Sequence, residues 1–213
     1  MKFKSDMLQV YLIAGTQDVG GDVADYLRRV EASMKAGITA FQFRDKDGSK
    51  LTSSERLDLA KRSRQLATKY NVPFIIDDDY EMAINVHADG VHVGQKDQRI
   101  DEVLRAVGDE MFVGYSCDTL DQIEHANQLP IAYVGSGPVF PTGSKDDADP
   151  VMGFVKLHEL VEQSVHPIVA VGGITPANAA DVIKTGVAGI SGISMIMKST
   201  DVVKTVDELK RLY

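Results

Sequence analysis

Eight short apolar runs recur along the 213 residues, with amphipathic stretches between them. The runs lie at 8–14, 38–43, 74–76, 90–93, 112–115, 132–135, 168–171 and 188–191. A strand this short and apolar on both faces suits a parallel sheet covered by helices, because only there are both faces buried. Stretches such as "DVADYLRRVEASMKAG" and "TSSERLDLAKRSRQLATKY" repeat apolar residues at spacings of three and four, the period of a helix with one buried face, and Gly37 supplies a stop. Each strand is thus followed by a helix. Eight such units close naturally into an α/β (β/α)8 TIM barrel, with a doubly wound open sheet as the alternative. No Pro/Ser-rich linker divides the chain, so residues 1–213 are expected to form a single domain.

Composition narrows the partners. The chain is 44% hydrophobic, enough for a sizeable core, and its 23 basic against 31 acidic residues give a formal charge of −8. That balance argues against nucleic acid or an anionic membrane as partner and makes any phosphate site local. No signal-like leader opens the sequence, and no apolar run approaches the roughly 18 residues that span a bilayer. A cytoplasmic protein acting on small molecules is expected, with a homo-oligomer left open. The single cysteine, Cys117, excludes an internal disulfide and a cysteine metal cluster. A packed small residue is its expected role.

In a barrel, side chains just after the strands converge on one face. After the second run comes "QFRDK", where Gln42, Arg44 and Lys46 alternate and so leave the strand on the same side. Two cations and an amide suit phosphate oxygens, although a solvated strand end with Arg44 paired to an acid fits the same spacing. After the third run stand Asp77, Asp78 and Asp79. One of them suffices to cap the following helix. Three adjacent carboxylates repel unless a cation neutralises them, and hard oxygen donors favour Mg2+. Asp97, after the fourth run, offers a second carboxylate for the same ion. His92 is by default a packed core histidine, and Ser116 lacks a partner at nucleophile spacing, so a hydrogen-bonding role suits it better. "AVGGIT" and "GISGIS" put glycines after the seventh and eighth runs, where barrel loops commonly bind phosphate through backbone N–H groups. The long loop of "YVGSGPVFPTGSKDDADP", residues 133–150, is longer than a passive connection needs to be.

Taken in order, "QFRDK", "DD", "HVGQKD", "GYS", "GPVFPTGSK" and "GGI" resemble the strand-end motifs of the thiamine-phosphate synthase family, which has a (β/α)8 barrel. The resemblance runs from about Val10 to the last strand. It implies a Mg2+-dependent transferase that joins a thiazole phosphate to a hydroxymethylpyrimidine diphosphate, by dissociative substitution, and releases pyrophosphate. Gln42, Arg44, Lys46, Asp77 and Lys145 would bind the diphosphate, with Asp78 and Asp97 as the Mg2+ ligands. Asp45, inside the same "QFRDK" run, is counted with the substrate-binding residues. Ser116 would hydrogen-bond the pyrimidine between Tyr11 and His92 as pocket walls. Thr142, Gly143, Ser144, Gly173, Ile193 and Ser194 would hold the thiazole phosphate, which gives the long loop its purpose. Arg44, Lys46, Ser116 and Lys145 form the implied catalytic set. Asp77 departs from the family's usual Asn. A thiazole tautomerase of the same structural family would not need the cations and paired aspartates, and a noncatalytic phosphate-metabolite binding barrel would use them without turnover.

Overall fold

The computed structural model describes residues 1–46, 48–143 and 150–213. Its eight strands are β1 (Val10–Ala14), β2 (Ala40–Phe43), β3 (Phe74–Asp77), β4 (Gly90–Val93), β5 (Phe112–Ser116), β6 (Tyr133–Ser136), β7 (Ile168–Ala170) and β8 (Gly189–Gly192). All pair in parallel with their sequence neighbours, and β8 returns to β1 through Val10↔Ile190, Tyr11↔Ser191 and Leu12↔Gly192, closing the barrel. The helices are α1 (Val23–Ala36), α2 (Ser53–Tyr70), α3 (Tyr80–Asn85), α4 (Ile100–Val107), α5 (Leu120–Ala126), α6 (Gly153–Gln163), α7 (Ala179–Ile183), the one-turn α8 (Ser194–Met197) and α9 (Val202–Lys210). The open-sheet alternative is thereby excluded.

Local chemistry sets the helix ends. Asp22 caps α1 by accepting from the N–H groups of Ala24 and Asp25, and Gly37 ends it at φ 95°, a left-handed backbone that glycine adopts without a Cβ clash. Thr52 and Glu55 form a reciprocal capping box at the start of α2. The apolar runs exceed the strands at several ends. Leu8 sits in a 3-10 turn, Ser5–Leu8, and Ile38 precedes β2, yet both are buried. An apolar run reports burial, whereas a strand is defined by its ladder of hydrogen bonds, so the two need not share boundaries.

Strand alternation separates two cores. One lies between the barrel wall and the helices and includes Leu12, Phe41, Phe74, Ile76, Val91, Val134 and Ile190. The other fills the barrel itself with Leu8, Tyr11, Ile13, Ala40, Ile75, Tyr133, Val169 and Ile193. Phe3 closes the lower end by stacking on Tyr133 at 5.7 Å. Each fully buried Leu, Ile, Val or Phe side chain contributes about 1.5–3 kcal/mol, so the filled interior is a rigid floor for whatever stands above it. Among the described residues no helix is long and apolar enough to cross a membrane.

Candidate active site

A cavity of about 520 Å³ opens at the C-terminal ends of the strands. Gln42, Arg44 and Lys46 line it together, as their alternation requires, with Asp77, Asp78 and Asp97 beside them. Tyr11, His92 and Ser116 form its depth, and Thr142, Gly173, Ile193 and Ser194 its other wall. Asp45 does not join them. It points out of the barrel, where its carboxylate accepts from the Thr16 N–H at 2.7 Å and the Ser49 hydroxyl at 2.6 Å. It anchors the β1 and β2 loops to each other and, unlike the substrate role expected for it, does not line this cavity. Gly143 is exposed at the edge of the described loop and does not line the cavity. Ser144 and Lys145 lie outside the described residues.

The three aspartates after β3 divide their work. Asp79 caps α3, accepting from the Met82 N–H at 2.8 Å. Asp77 Oδ2 lies 3.3 Å from both Arg44 Nε and Lys46 Nζ, and Lys46 also bonds Asp78. Asp78 adopts φ 61°, a left-handed backbone uncommon outside glycine but better tolerated by Asp, and its N–H bonds the His92 carbonyl at 2.7 Å. Burial, then the charge of Asp77, push the Asp78 carboxyl up to about 7 in spite of Lys46, with Asp97 adding to the rise. Burial pulls the Lys46 ammonium down, but Asp77 and Asp78 more than offset it and leave it above the ordinary lysine range. Among the described residues no set of three or more His, Cys, Asp or Glu side chains is arranged to hold a metal. The pair Asp78 and Asp97 nevertheless suits Mg2+, which takes few carboxylates and fills its shell with water and substrate oxygens.

Polar contacts deeper in the barrel went unseen in the sequence. Ser116 Oγ stands 3.0 Å from His92 Nε2, and His92 Nδ1 stands 3.1 Å from Tyr133 Oη. Tyr133 also meets Tyr11 Oη at 2.8 Å, and Gln42 Nε2 donates to Tyr11 at 3.0 Å. Strand alternation places Tyr133 inward, but no motif spacing brings it to His92. Ser191 is a second omission: its buried hydroxyl has no hydrogen-bond partner among the described residues, and it lines the cavity. Gln95 braces the β4 loop, donating to the Ser116 carbonyl at 2.6 Å and accepting from Tyr115 Oη at 3.0 Å.

The opposite wall is built from backbone. The Val139 and Phe140 N–H groups donate to the Val171 and Gly172 carbonyls at 3.0 and 3.1 Å, tying the β6 loop to the β7 loop. Gly172 and Gly173 have φ of 94° and 65°, and a Cβ on either would press within 2.7 Å of the β6 loop. Glycine is needed there both for backbone sign and for close approach. Cys117, beneath these loops, is buried, and burial pushes its thiol up to about 12, which makes it an inert packing residue.

A family model described as thiamine monophosphate synthase matches residues 10–196. A thiamine-phosphate synthase from Limosilactobacillus fermentum is 53% identical over 213 residues, covering 100% of both chains. One from Limosilactobacillus reuteri is 53% identical over 214 residues, again with 100% of each covered. Among solved structures, a thiamine phosphate pyrophosphorylase from Pyrococcus furiosus superimposes with a TM-score of 0.84 at 33% identity, over 98% of this chain and 96% of the other.

Proposed function

The chain belongs to the thiamine-phosphate synthase family of transferases, and from that premise we propose that its barrel mouth performs the coupling through two anion sites separated by a neutral floor. The substrates are 4-amino-2-methyl-5-(diphosphooxymethyl)pyrimidine and 4-methyl-5-(2-phosphooxyethyl)thiazole, and the products are thiamine phosphate and pyrophosphate. The observation that carries this reading is the convergence of two kinds of wall on one cavity. Arg44, Lys46, Asp78 and Asp97 follow β2, β3 and β4, the glycine-rich loops and Ser194 follow β7 and β8 across the barrel, and Tyr11, Gln42, His92 and Ser116 lie between, with Asp118 and Lys156 also lining the space.

The chemistry asks for few proton transfers. The thiazole nitrogen carries a lone pair and no proton, so a general base is unnecessary. The pyrimidine C–O bond must ionise, and Arg44 and Lys46 neutralise the charge that grows on the departing diphosphate, an interaction stronger in the transition state than before it. Asp77 holds both cations in place before substrate arrives. Mg2+, held by Asp78 and Asp97, would supply further positive charge to the leaving group. Ser116 orients the pyrimidine ring over the barrel floor, and Gln42 stands with Arg44 and Lys46 toward the diphosphate. Thr142, with the backbone at Gly173, Ile193 and Ser194, holds the thiazole phosphate so that its nitrogen faces the methylene carbon, replacing a bimolecular encounter by a positioned one.

The test is pyrophosphate release in the presence of both substrates and Mg2+. Release that requires both partners is expected. Binding of either without release, or isomerisation of a thiazole alone, contradicts the proposal.

A further inference from the structure

One row of hydrogen bonds crosses the barrel interior and joins five strands. Gln42 on β2 donates through Nε2 to Tyr11 on β1, Tyr11 meets Tyr133 on β6, Tyr133 meets His92 on β4, and His92 meets Ser116 on β5. Tyr11 and Tyr133 are wholly buried, and burial above all holds both phenols above the usual range, so each keeps its proton. Space for the row is built in. A Cβ at residue 114 would lie 2.2 Å from Tyr133 Cζ and 2.5 Å from His92 Nδ1, and one at residue 135 would lie 2.9 Å from His92 Cε1. Two strands thus give up inward side chains, and the rings of Tyr133 and His92 occupy the room.

The amide at one end fixes the direction of the whole row. An amide nitrogen donates and cannot accept, so Tyr11 accepts a hydrogen bond from Gln42, and its own buried proton, which needs an acceptor, turns to Tyr133. Tyr133, already receiving, turns its proton to His92 Nδ1, which must be bare. Neutral His92 then carries its proton on Nε2 and donates to Ser116 Oγ. That leaves the Ser116 hydroxyl proton directed away from His92, into the cavity that Ser116 lines.

We propose that Tyr133 is a positioning residue that, by fixing the His92 tautomer, commits Ser116 to donate a hydrogen bond to an acceptor nitrogen of the substrate's aromatic ring. This rests on the reading of the cavity as a pyrimidine site and deepens it. Tyr133 itself never touches substrate. A ring bearing a donor in place of that nitrogen is rejected, because Ser116 would face it with like polarity.

The test uses the full-length protein labelled with 15N at histidine and freed of ligand. Long-range 1H–15N correlation, with His92 assigned by its loss in His92→Gln, reads the tautomer directly. The expected result is a protonated Nε2 and a bare Nδ1, with this preference lost in Tyr133→Phe, which removes one oxygen and keeps the ring that stacks on Phe3. Kinetically, Tyr133→Phe should raise KM for the pyrimidine diphosphate roughly five- to tenfold and leave KM for the thiazole phosphate within about twofold. That effect should vanish when Ser116→Ala is already present. Tyr26→Phe, which removes a buried hydroxyl bonded to Ser63 at 3.1 Å outside the barrel lumen, should leave both constants unchanged. A wild-type His92 protonated on Nδ1, or on both nitrogens, overturns the proposal, as does a Tyr133→Phe effect that is absent, equal on both substrates or undiminished beside Ser116→Ala. The wild-type tautomer needs no turnover and no variant beyond the one that assigns its signal, so its outcome is distinguishable from a failure of the pyrimidine reading.

Discussion

Asp77 stands where the motif resemblance implies an Asn, and its neighbours explain how a carboxylate is accommodated. Left alone beside a diphosphate charge about 4 Å away, it would be repelled by roughly 4 kcal/mol at an effective dielectric of 20. Arg44 and Lys46, each 3.3 Å away, absorb that charge. Asp77→Asn keeps a polar group in place, releases both cations toward the diphosphate and removes the like charge that helps raise Asp78. Activity should therefore stay within about tenfold, equivalent to about 1.4 kcal/mol, while the Mg2+ concentration needed for half-maximal rate falls. A steady-state Mg2+ titration of both forms measures this, and a much larger loss at saturating Mg2+ makes Asp77 an essential ligand instead. Asp78→Ala belongs to a different class. It should cost on the order of 10²-fold or more in rate with the barrel still folded by circular dichroism, and chelation should act likewise. Full activity in excess chelator would remove the metal from the account.

At the scale of strands, the barrel succeeds because each strand sends alternate side chains into different surroundings. This rule was legible in the sequence and placed Gln42, Arg44 and Lys46 on one side. Applied one residue further it also turns Asp45 outward, where Thr16 and Ser49 hold it. Alternation says which way a residue points, not whom it meets. Ser116 and His92 are on neighbouring strands and Tyr133 is on the next, so their contact depends on register, which local spacing does not carry. The one signal in the sequence is a missing side chain at Gly114 and Gly135, whose meaning the structure supplies. Gly114→Ala tests that packing. Both rings near the new methyl are fixed by hydrogen bonds and neighbours, so overpacking should cost about 1–3 kcal/mol. For a chain of this size that lowers Tm by about 2–4 °C per kcal/mol, and KM for the pyrimidine diphosphate should rise with it. Thermal denaturation with unchanged Tm would mean the interior has slack that the contact distances deny.

For the whole molecule, the order of βα units was legible from apolar periodicity, and the meeting of Arg44, Lys46, Asp78 and Asp97 at one mouth was legible from their places after β2, β3 and β4. The coupling of charge to folding was not, because it depends on burial. Asp78 is raised to about 7 in the folded chain from an ordinary carboxylate value of 3.8. A raised carboxylate favours folding most below its unfolded value and loses that contribution as pH climbs through the folded one. Between about pH 4 and 7 this group alone thus makes the barrel less stable as it ionises, and under the proposed function a divalent cation would take the place of the lost proton. Added Mg2+ should raise Tm clearly at about pH 8 and little at about pH 5 in dye-based melting curves. An equal rise at both would detach Asp78 from the ion. The central claim, two anion sites across one neutral floor, is tested most directly by steady-state kinetics of Arg44→Ala and Ser194→Ala with each substrate varied in turn. Arg44→Ala should impair use of the pyrimidine diphosphate by the larger factor, since a charge-assisted contact is worth roughly 1.5–3 kcal/mol, and Ser194→Ala should chiefly raise KM for the thiazole phosphate. Equal effects of either variant on both substrates would contradict the separation of the two sites.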